Sequence, residues 1–159
     1  MPTRPDDEIH LRRAFGAARR ARDNGNHPFG AILVGPDGAV LIETGNAVLP
    51  DGDATAHAER LLASAASRQY SAEFLATCTM YSSAEPCAMC AGALFWAGVR
   101  RIVFGLSGER LRRMAGEQPG NPMLFLASRT VFAAGQRPTE IIGPLLEDEA
   151  AALHDGIWN

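Results

Sequence analysis

Two short segments constrain this chain more than anything else in it. Thr55-Ala-His57-Ala-Glu59 and Glu85-Pro86-Cys87-Ala-Met-Cys90 each stand where a helix is expected to open. Cys87 and Cys90 are three residues apart, so both sulfurs fall on one face of a first helical turn. The free N–H groups and the positive end of the macrodipole favour thiolates there. His57 supplies a third, borderline-soft ligand from the start of another helix. Two thiolates and one imidazole, with no obvious fourth protein ligand, make the donor set of a catalytic zinc, which keeps one position open for water. A fold that serves this set has to bring two helix N-termini to one point.

Glu59 extends the reading from metal binding to catalysis. It lies two residues past His57, close enough to approach water at the metal without joining the ligand shell. Zinc brings the pKa of such a water towards about 7, and a carboxylate can then take its proton. The same carboxyl can protonate a ring nitrogen and later a departing amine. Other readings exist for parts of the pattern. A C-x-x-C at a helix start also suits a redox dithiol, which leaves His57 and Glu59 unexplained. A purely structural zinc needs a fourth ligand, with Cys78, His27 or His154 available; Cys78 sits in a strand-like run and reads as core. His10 and His154 have no motif around them and are expected at the surface. Glu85 is read as capping and loop support rather than as a second acid.

The rest of the chain supplies alternating elements. Residues 8–24 carry Ile9, Leu11, Ala14, Phe15, Ala17, Ala18 and Ala21 at helical spacing, with Asp6 or Asp7 as cap and Gly25 as stop. Residues 30–45 read as a β-hairpin around Gly35-Pro-Asp-Gly, and 46–54 as loop. Thr55–Ser67 predicts a second helix and Thr77–Ser82 a strand. Pro86 suits a first helical turn, and 87–97 continues as an apolar, small-residue helix. Residues 100–105 read as a strand, 108–115 and 123–134 as helices, Thr139–Ile142 as a last strand and Glu147–His154 as a C-terminal helix. With no linker and no repeat, the 159 residues are expected to form one α/β domain with helices on both faces of a sheet.

Composition removes several alternatives. All 15 basic residues are Arg, so Schiff-base chemistry on Lys and a P-loop Lys are both excluded. Three cysteines do not suit a disulfide framework. The net charge of −3 and pI of about 5.8 give no global pull towards nucleic acid. The Arg cluster at 12, 13, 19, 20 and 22 reads as a solvated face, with a polyanion contact as the other option. No apolar run is long enough to span a bilayer, and the polar, acidic start is unlike a secretory signal, so a cytoplasmic location is expected.

The order of motifs resembles the cytidine deaminase-like superfamily, in its branch of guanine, cytosine and tRNA adenosine deaminases. Pro28-Phe-Gly-Ala, Asn46, Ala54-Thr-Ala-His-Ala-Glu and Glu85-Pro-Cys-Ala-Met-Cys-Ala-Gly-Ala carry the likeness, and H-x-E…P-C-x-x-C is the pattern of zinc deaminases. The resemblance implies a three-layer α/β/α fold with a five-stranded mixed sheet, often dimeric. It also implies a zinc-dependent aminohydrolase that releases ammonia from a small heterocycle. By the same resemblance Asn46 and the backbone N–H of Ala58 contact the base, and Phe29 and Trp96 shape apolar walls.

Three features favour a free base over a tRNA adenosine. Phe29 and the run Leu94-Phe-Trp-Ala resemble guanine deaminases, where tRNA enzymes carry a smaller aliphatic residue and a polar stretch. The tail from Leu146 is acidic, whereas tRNA editors tend to end in a basic helix. The acidic pI points the same way. Guanine-, isoguanine-, cytosine- and aminotriazine-like substrates all remain open. An RNA-editing deaminase and a non-catalytic, zinc-stabilised RNA-binding module are the rival readings. The stretch Gly108–Gln136 is where the resemblance gives no alignment; it returns in Arg137-Pro-Thr-Glu-Ile-Ile-Gly-Pro-Leu-Leu-Glu-Asp-Glu-Ala, and the end, Gly156-Ile-Trp158-Asn, either folds over a pocket as a lid or stays free.

Overall fold

The strand β3 (Thr79–Ala84) is buried along its whole length, because it lies mid-sheet with helices over both faces. A computed structural model describes residues 2–116 and 119–158 of the chain. Met1, Glu117, Gln118 and Asn159 lie outside the described residues, so the expectations for 108–136 and for the tail are answered only for the remainder. β1 (Gly30–Val34) and β2 (Val40–Gly45) form the expected hairpin, and β4 (Arg101–Leu106) and β5 (Glu140–Ile142) complete a five-stranded sheet in the order β2-β1-β3-β4-β5. β1 pairs antiparallel with β2 and β3, while β3, β4 and β5 run parallel, so the sheet is mixed.

Side-chain alternation divides the core into two layers. Ala31, Leu33, Met80, Ile102 and Phe104 face α2 (Ala58–Gln69), the short α3 (Ala72–Leu75), α4 (Ala88–Ala97) and α6 (Ser128–Ala133). Ile32, Val34, Tyr81, Val103 and Leu106 face α1 (Asp7–Asp23), α5 (Gly108–Ala115) and α7 (Glu147–Ala152). Gly30 is required by this packing. A Cβ there would lie 2.4 Å from the backbone nitrogen of Ala18 and 2.6 Å from the carbonyl of Ala14. α1 therefore rests directly on the first residue of β1, and its small residues Ala14, Ala17 and Ala18 make the approach possible.

Three local expectations change. α2 begins at Ala58 rather than Thr55, because Asp53 Oδ1 accepts bonds from the Thr55 N–H and hydroxyl and holds that segment in a turn. The helix expected over 123–134 is confined to Ser128–Ala133, starting where the Glu85 carboxylate meets the Ser128 N–H. The four-residue α3 was not anticipated.

Neither Asp6 nor Asp7 caps α1 with its side chain. Asp6 occupies the cap position without a side-chain bond, and Asp7 is fully buried. The Arg101 guanidinium donates to both oxygens of Asp7 at 2.8 Å, the Tyr81 hydroxyl donates at 2.8 Å, and the Arg4 N–H at 2.6 Å. Burial alone would raise the Asp7 pKa, but these four bonds outweigh it and the net shift is downward. Arg101 also lies 3.5 Å from Glu140 across the first residues of β4 and β5. Asp7→Asn strands a buried guanidinium and is expected to cost about 3–5 kcal/mol in urea unfolding. The wild-type advantage should be complete above pH 3.8, the ordinary carboxyl value, and should vanish as pH falls through the lower native value.

Candidate active site

The carboxyl ends of β2, β3 and β4 and the start of β1 share one edge of the sheet. Ligands of α/β folds bind outside that edge, and here two helix starts converge on it. His57 occupies the cap position of α2 in an extended backbone conformation, and Cys87 does the same for α4. Neither side chain caps its own helix, so both are free to point at each other. His57 Nδ1 lies 3.6 Å from Cys87 Sγ and 3.7 Å from Cys90 Sγ, and the three donor atoms lie within 4.8 Å of one another. A tetrahedral zinc with bonds of about 2.3 Å to sulfur and 2.0–2.1 Å to nitrogen sets its N and S donors about 3.6 Å apart. The donor set therefore fits zinc in both chemistry and spacing. Among the described residues no fourth His, Cys, Asp or Glu joins the group. Cys78 is core, its thiol directed to the carbonyl of Phe74.

The electrostatics of the cluster match a cation site. The hydrogen bond from the Cys90 thiol, with His57 adding to it, lowers the Cys87 pKa to about 4 despite burial. Cys90 is pushed strongly up by donating that bond, by burial and by the nearby Glu59. The pair holds one negative charge comfortably; a dication between the sulfurs lets both ionise. His57 is shifted up, first by its bond to Cys87. Glu59, on the first turn of α2 and only 5% exposed, has its pKa raised to about 7, first by burial and then by the charge of Cys87.

Phe29 precedes β1 and Asn46 follows β2, so both stand at the same end of the sheet. The Asn46 N–H donates to the Phe29 carbonyl at 2.9 Å, and its Oδ1 accepts from Val48 N–H at 3.3 Å. Ala58 is the first residue of α2, so its N–H is among those without an intrahelical acceptor. Its carbonyl is tied to β2 by the Thr44 hydroxyl at 2.7 Å.

Trp96, expected to wall the base, stands on an open surface of this chain. It is 80% exposed and lines a shallow recess with Arg60, Ala63, Ser64 and Ser67 on the outer side of α2 and α4. Six residues past Cys90 it stands about 9 Å further along the helix axis. α4 is apolar all round, so periodicity could not tell its inward face from its outward one. Phe95, by contrast, packs against the core under the Arg137 guanidinium.

The segment 108–136 meets the site through Glu85. Its Oε1 accepts from the Gly108 N–H at 2.9 Å; its Oε2 accepts from the Ser128 N–H at 2.9 Å and the Ser128 hydroxyl at 2.8 Å. Two residues before Cys87, one carboxylate thus holds the first residues of α5 and α6. This is the loop support expected of it. The tail also packs on its own chain. The Trp158 ring lies 4.8 Å from that of His27 and donates its indole N–H to His154 Nδ1 at 3.0 Å. His154 is only 2% exposed, against the surface role expected for it. A His and a Trp four apart at the end of a helical segment were the available signal.

Residues 4–106 match a family profile described as the cytidine and deoxycytidylate deaminase zinc-binding region. The chain belongs to this deaminase family. It is a hydrolytic deaminase with zinc as its cofactor. It is 43% identical over 153 residues to a probable cytosine deaminase of Schizosaccharomyces pombe, covering 96% of this chain and 93% of that one. It is 34% identical over 147 residues to a tRNA-specific adenosine deaminase of Bacillus subtilis, covering 92% and 85%. The solved guanine deaminase from Nitrosomonas europaea superimposes with a TM-score of 0.72 at 25% identity, covering 96% of this deaminase and 84% of that chain. The five-stranded sheet with helices on both faces is the cytidine deaminase-like fold. No helix of the described residues is long and apolar enough to cross a membrane.

Replacing Glu85 by Ala in the zinc-loaded deaminase removes the acceptor at two helix starts. The expected loss is about 1–3 kcal/mol of unfolding free energy in urea. Glu85→Gln keeps one acceptor oxygen and should fall between wild type and Ala.

Proposed function

We propose that this deaminase hydrolyses the ring amino group of a free nucleobase or a closely related heterocycle, releasing ammonia and leaving a carbonyl on the ring. The observation that carries the reading is the dry Glu59 carboxyl beside a His57–Cys87–Cys90 set with the donor spacing of tetrahedral zinc. His57, Cys87 and Cys90 hold the zinc. When bound, it supplies an acidified water for attack on the amino-bearing carbon.

Glu59 moves the protons. Its carboxylate takes one proton from the attacking water and delivers it to the ring nitrogen next to the reacting carbon. It then takes the second water proton and gives it to the leaving amino group, which departs as ammonia while the new C=O forms. Burial suits this task, because a dry carboxyl holds a proton through the interval between attack and departure. Asn46 and the Ala58 N–H orient the ring through directional bonds, and Phe29 provides a flat apolar contact. Unmet polar groups discriminate between bases more strongly than a missing methylene does.

Substrate class is supported by charge as well as by likeness. Four of the five arginines of α1, which in an RNA-editing enzyme could grip a phosphate backbone, are engaged by groups of the same chain. Arg12 pairs with Glu149 and Glu8, and Arg13 and Arg20 with Glu43. Arg22 is held by the carbonyls of Leu153 and Asp155. The near full-length likeness to a probable cytosine deaminase and the fold likeness to a guanine deaminase make cytosine and guanine the first bases to try.

Ammonia release by the zinc-loaded enzyme, measured on cytosine, guanine, isoguanine, adenine, their nucleosides, aminotriazines and a tRNA anticodon stem-loop, tests this reading. Turnover of a free base is expected, falling about 10²–10⁴-fold in Glu59→Gln with zinc content unchanged. Activity confined to the stem-loop would replace it with RNA editing. A strong chelator should abolish turnover and added zinc should restore it, with Cys87→Ser unable to recover.

A further inference from the structure

The two cap residues of the zinc set are reached by different routes. Cys87 follows closely on β3, which ends at Ala84 and is buried along its length. His57 is reached through residues 51–55, all of them exposed, so no packed strand sets the backbone that aims its ring. A turn of hydrogen bonds does so instead. The Asp53 Oδ1 accepts from the Thr55 N–H at 2.9 Å and from the Thr55 hydroxyl at 2.7 Å. The Asp53 carbonyl accepts from the Ala56 N–H at 3.0 Å, and the Thr55 carbonyl from the His57 N–H at 2.7 Å.

Arg60, on the first turn of α2, closes this turn from the other side of His57. Its Nε donates to the same Thr55 carbonyl, and its guanidinium lies 3.4 Å from Asp53 Oδ2. The Arg60 backbone N–H is directed at the Cys90 sulfur. Every polar group of Thr55 is thus engaged, and one carboxylate and one guanidinium tie together the chain before and after His57. Asp53 is not itself part of the donor group. Its pKa is held below the ordinary carboxyl value, first by the bond from the Thr55 hydroxyl and then by that from the Thr55 N–H. Ordering one residue of an exposed turn costs about 1–2 kcal/mol, a cost that metal binding has to meet wherever folding has not. Metal sites accordingly rely on groups outside the ligand shell to hold the ligands in place.

We propose that Asp53 and Arg60 are positioning residues of the zinc site, clamping Thr55 between them so that the His57 backbone stays extended and its Nδ1 stands at zinc spacing from Cys87 and Cys90. The inference rests on the zinc set and not on the free-base reading, so it holds for whichever ring the enzyme takes. Asp53→Ala opens the clamp at its acceptor, and Arg60→Ala opens it at its donor. Asp53→Asn keeps an oxygen for the Thr55 N–H and hydroxyl while giving up the charge that faces Arg60.

The test uses the full-length protein, stripped of metal and titrated with zinc against a chromophoric chelator. Zinc affinity should fall about tenfold in Asp53→Ala and in Arg60→Ala, and part of the loss should return in Asp53→Asn. The double variant should lose less than the two single losses combined, as members of one clamp do. With Co²⁺ in place of zinc, the ligand-field bands of Asp53→Ala should differ from those of wild type, a change that a role confined to loop stability would not produce. Zinc affinity that stays within about twofold of wild type in folded Asp53→Ala and Arg60→Ala would overturn the inference. Should Asp53→Ala fail to fold, Asp53→Asn and Arg60→Ala decide by the same comparison. Failure of the wild-type enzyme on every free base would remove the free-base reading and leave the clamp standing.

Discussion

Everything the site can do depends on the contact between the first turns of α2 and α4. The two helices pack on the same face of the sheet through small residues, Ala63 and Ala66 on one and Ala91 and Ala97 on the other. Close packing allows the chain to leave β2 and β3 at neighbouring points and enter two helices whose starts face one another. His57 and Cys87 both fall on cap positions, where backbone is extended and the side chain is free of the helical array. Two thiolates and a buried carboxyl in one small volume repel each other in the absence of a cation. The arrangement is stable because the fold imposes it and a dication rewards it.

The molecule keeps its two costly charge clusters at opposite edges of the sheet. Arg101 and Glu140 open β4 and β5, and the Asp7–Arg101 pair joins α1 to that edge. The zinc ligands stand beyond the other edge, where β2 and β3 end. Each cluster is surrounded by apolar layers, so neither screens nor perturbs the other directly. The buried ion pair fixes the orientation of α1 over β1, and through Gly30 that orientation sets where Phe29 and Asn46 stand relative to the zinc ligands.

What was legible in the sequence was whatever is local. The hairpin, the small-residue helices and the H-x-E and C-x-x-C segments each carry their meaning within a few residues, and their order sufficed for the fold class. What depends on distant partners was not legible. Asp7 looks like a helix cap until Arg101, 94 residues away, is placed against it. His154 looks like a surface residue until α1, Phe29 and Trp158 close around it. Trp96 sits on a helix apolar on every side, where sequence gives no direction to a ring. The helix expected from 123 onward is absent over its first turn, where Met123, Leu124, Phe125 and Leu126 stay exposed.

The grip of Glu85 on both Gly108 and Ser128 carries a consequence for how such an enzyme diversifies. The nineteen residues between those two points leave from and return to opposite oxygens of one carboxylate. They form a closed excursion whose ends are fixed independently of its contents. Lengthening such an excursion adds only a slowly growing entropic term to folding, so its interior can be exchanged while the sheet and the cysteine turn keep their places. The acid beside the cysteines thereby acts as a socket.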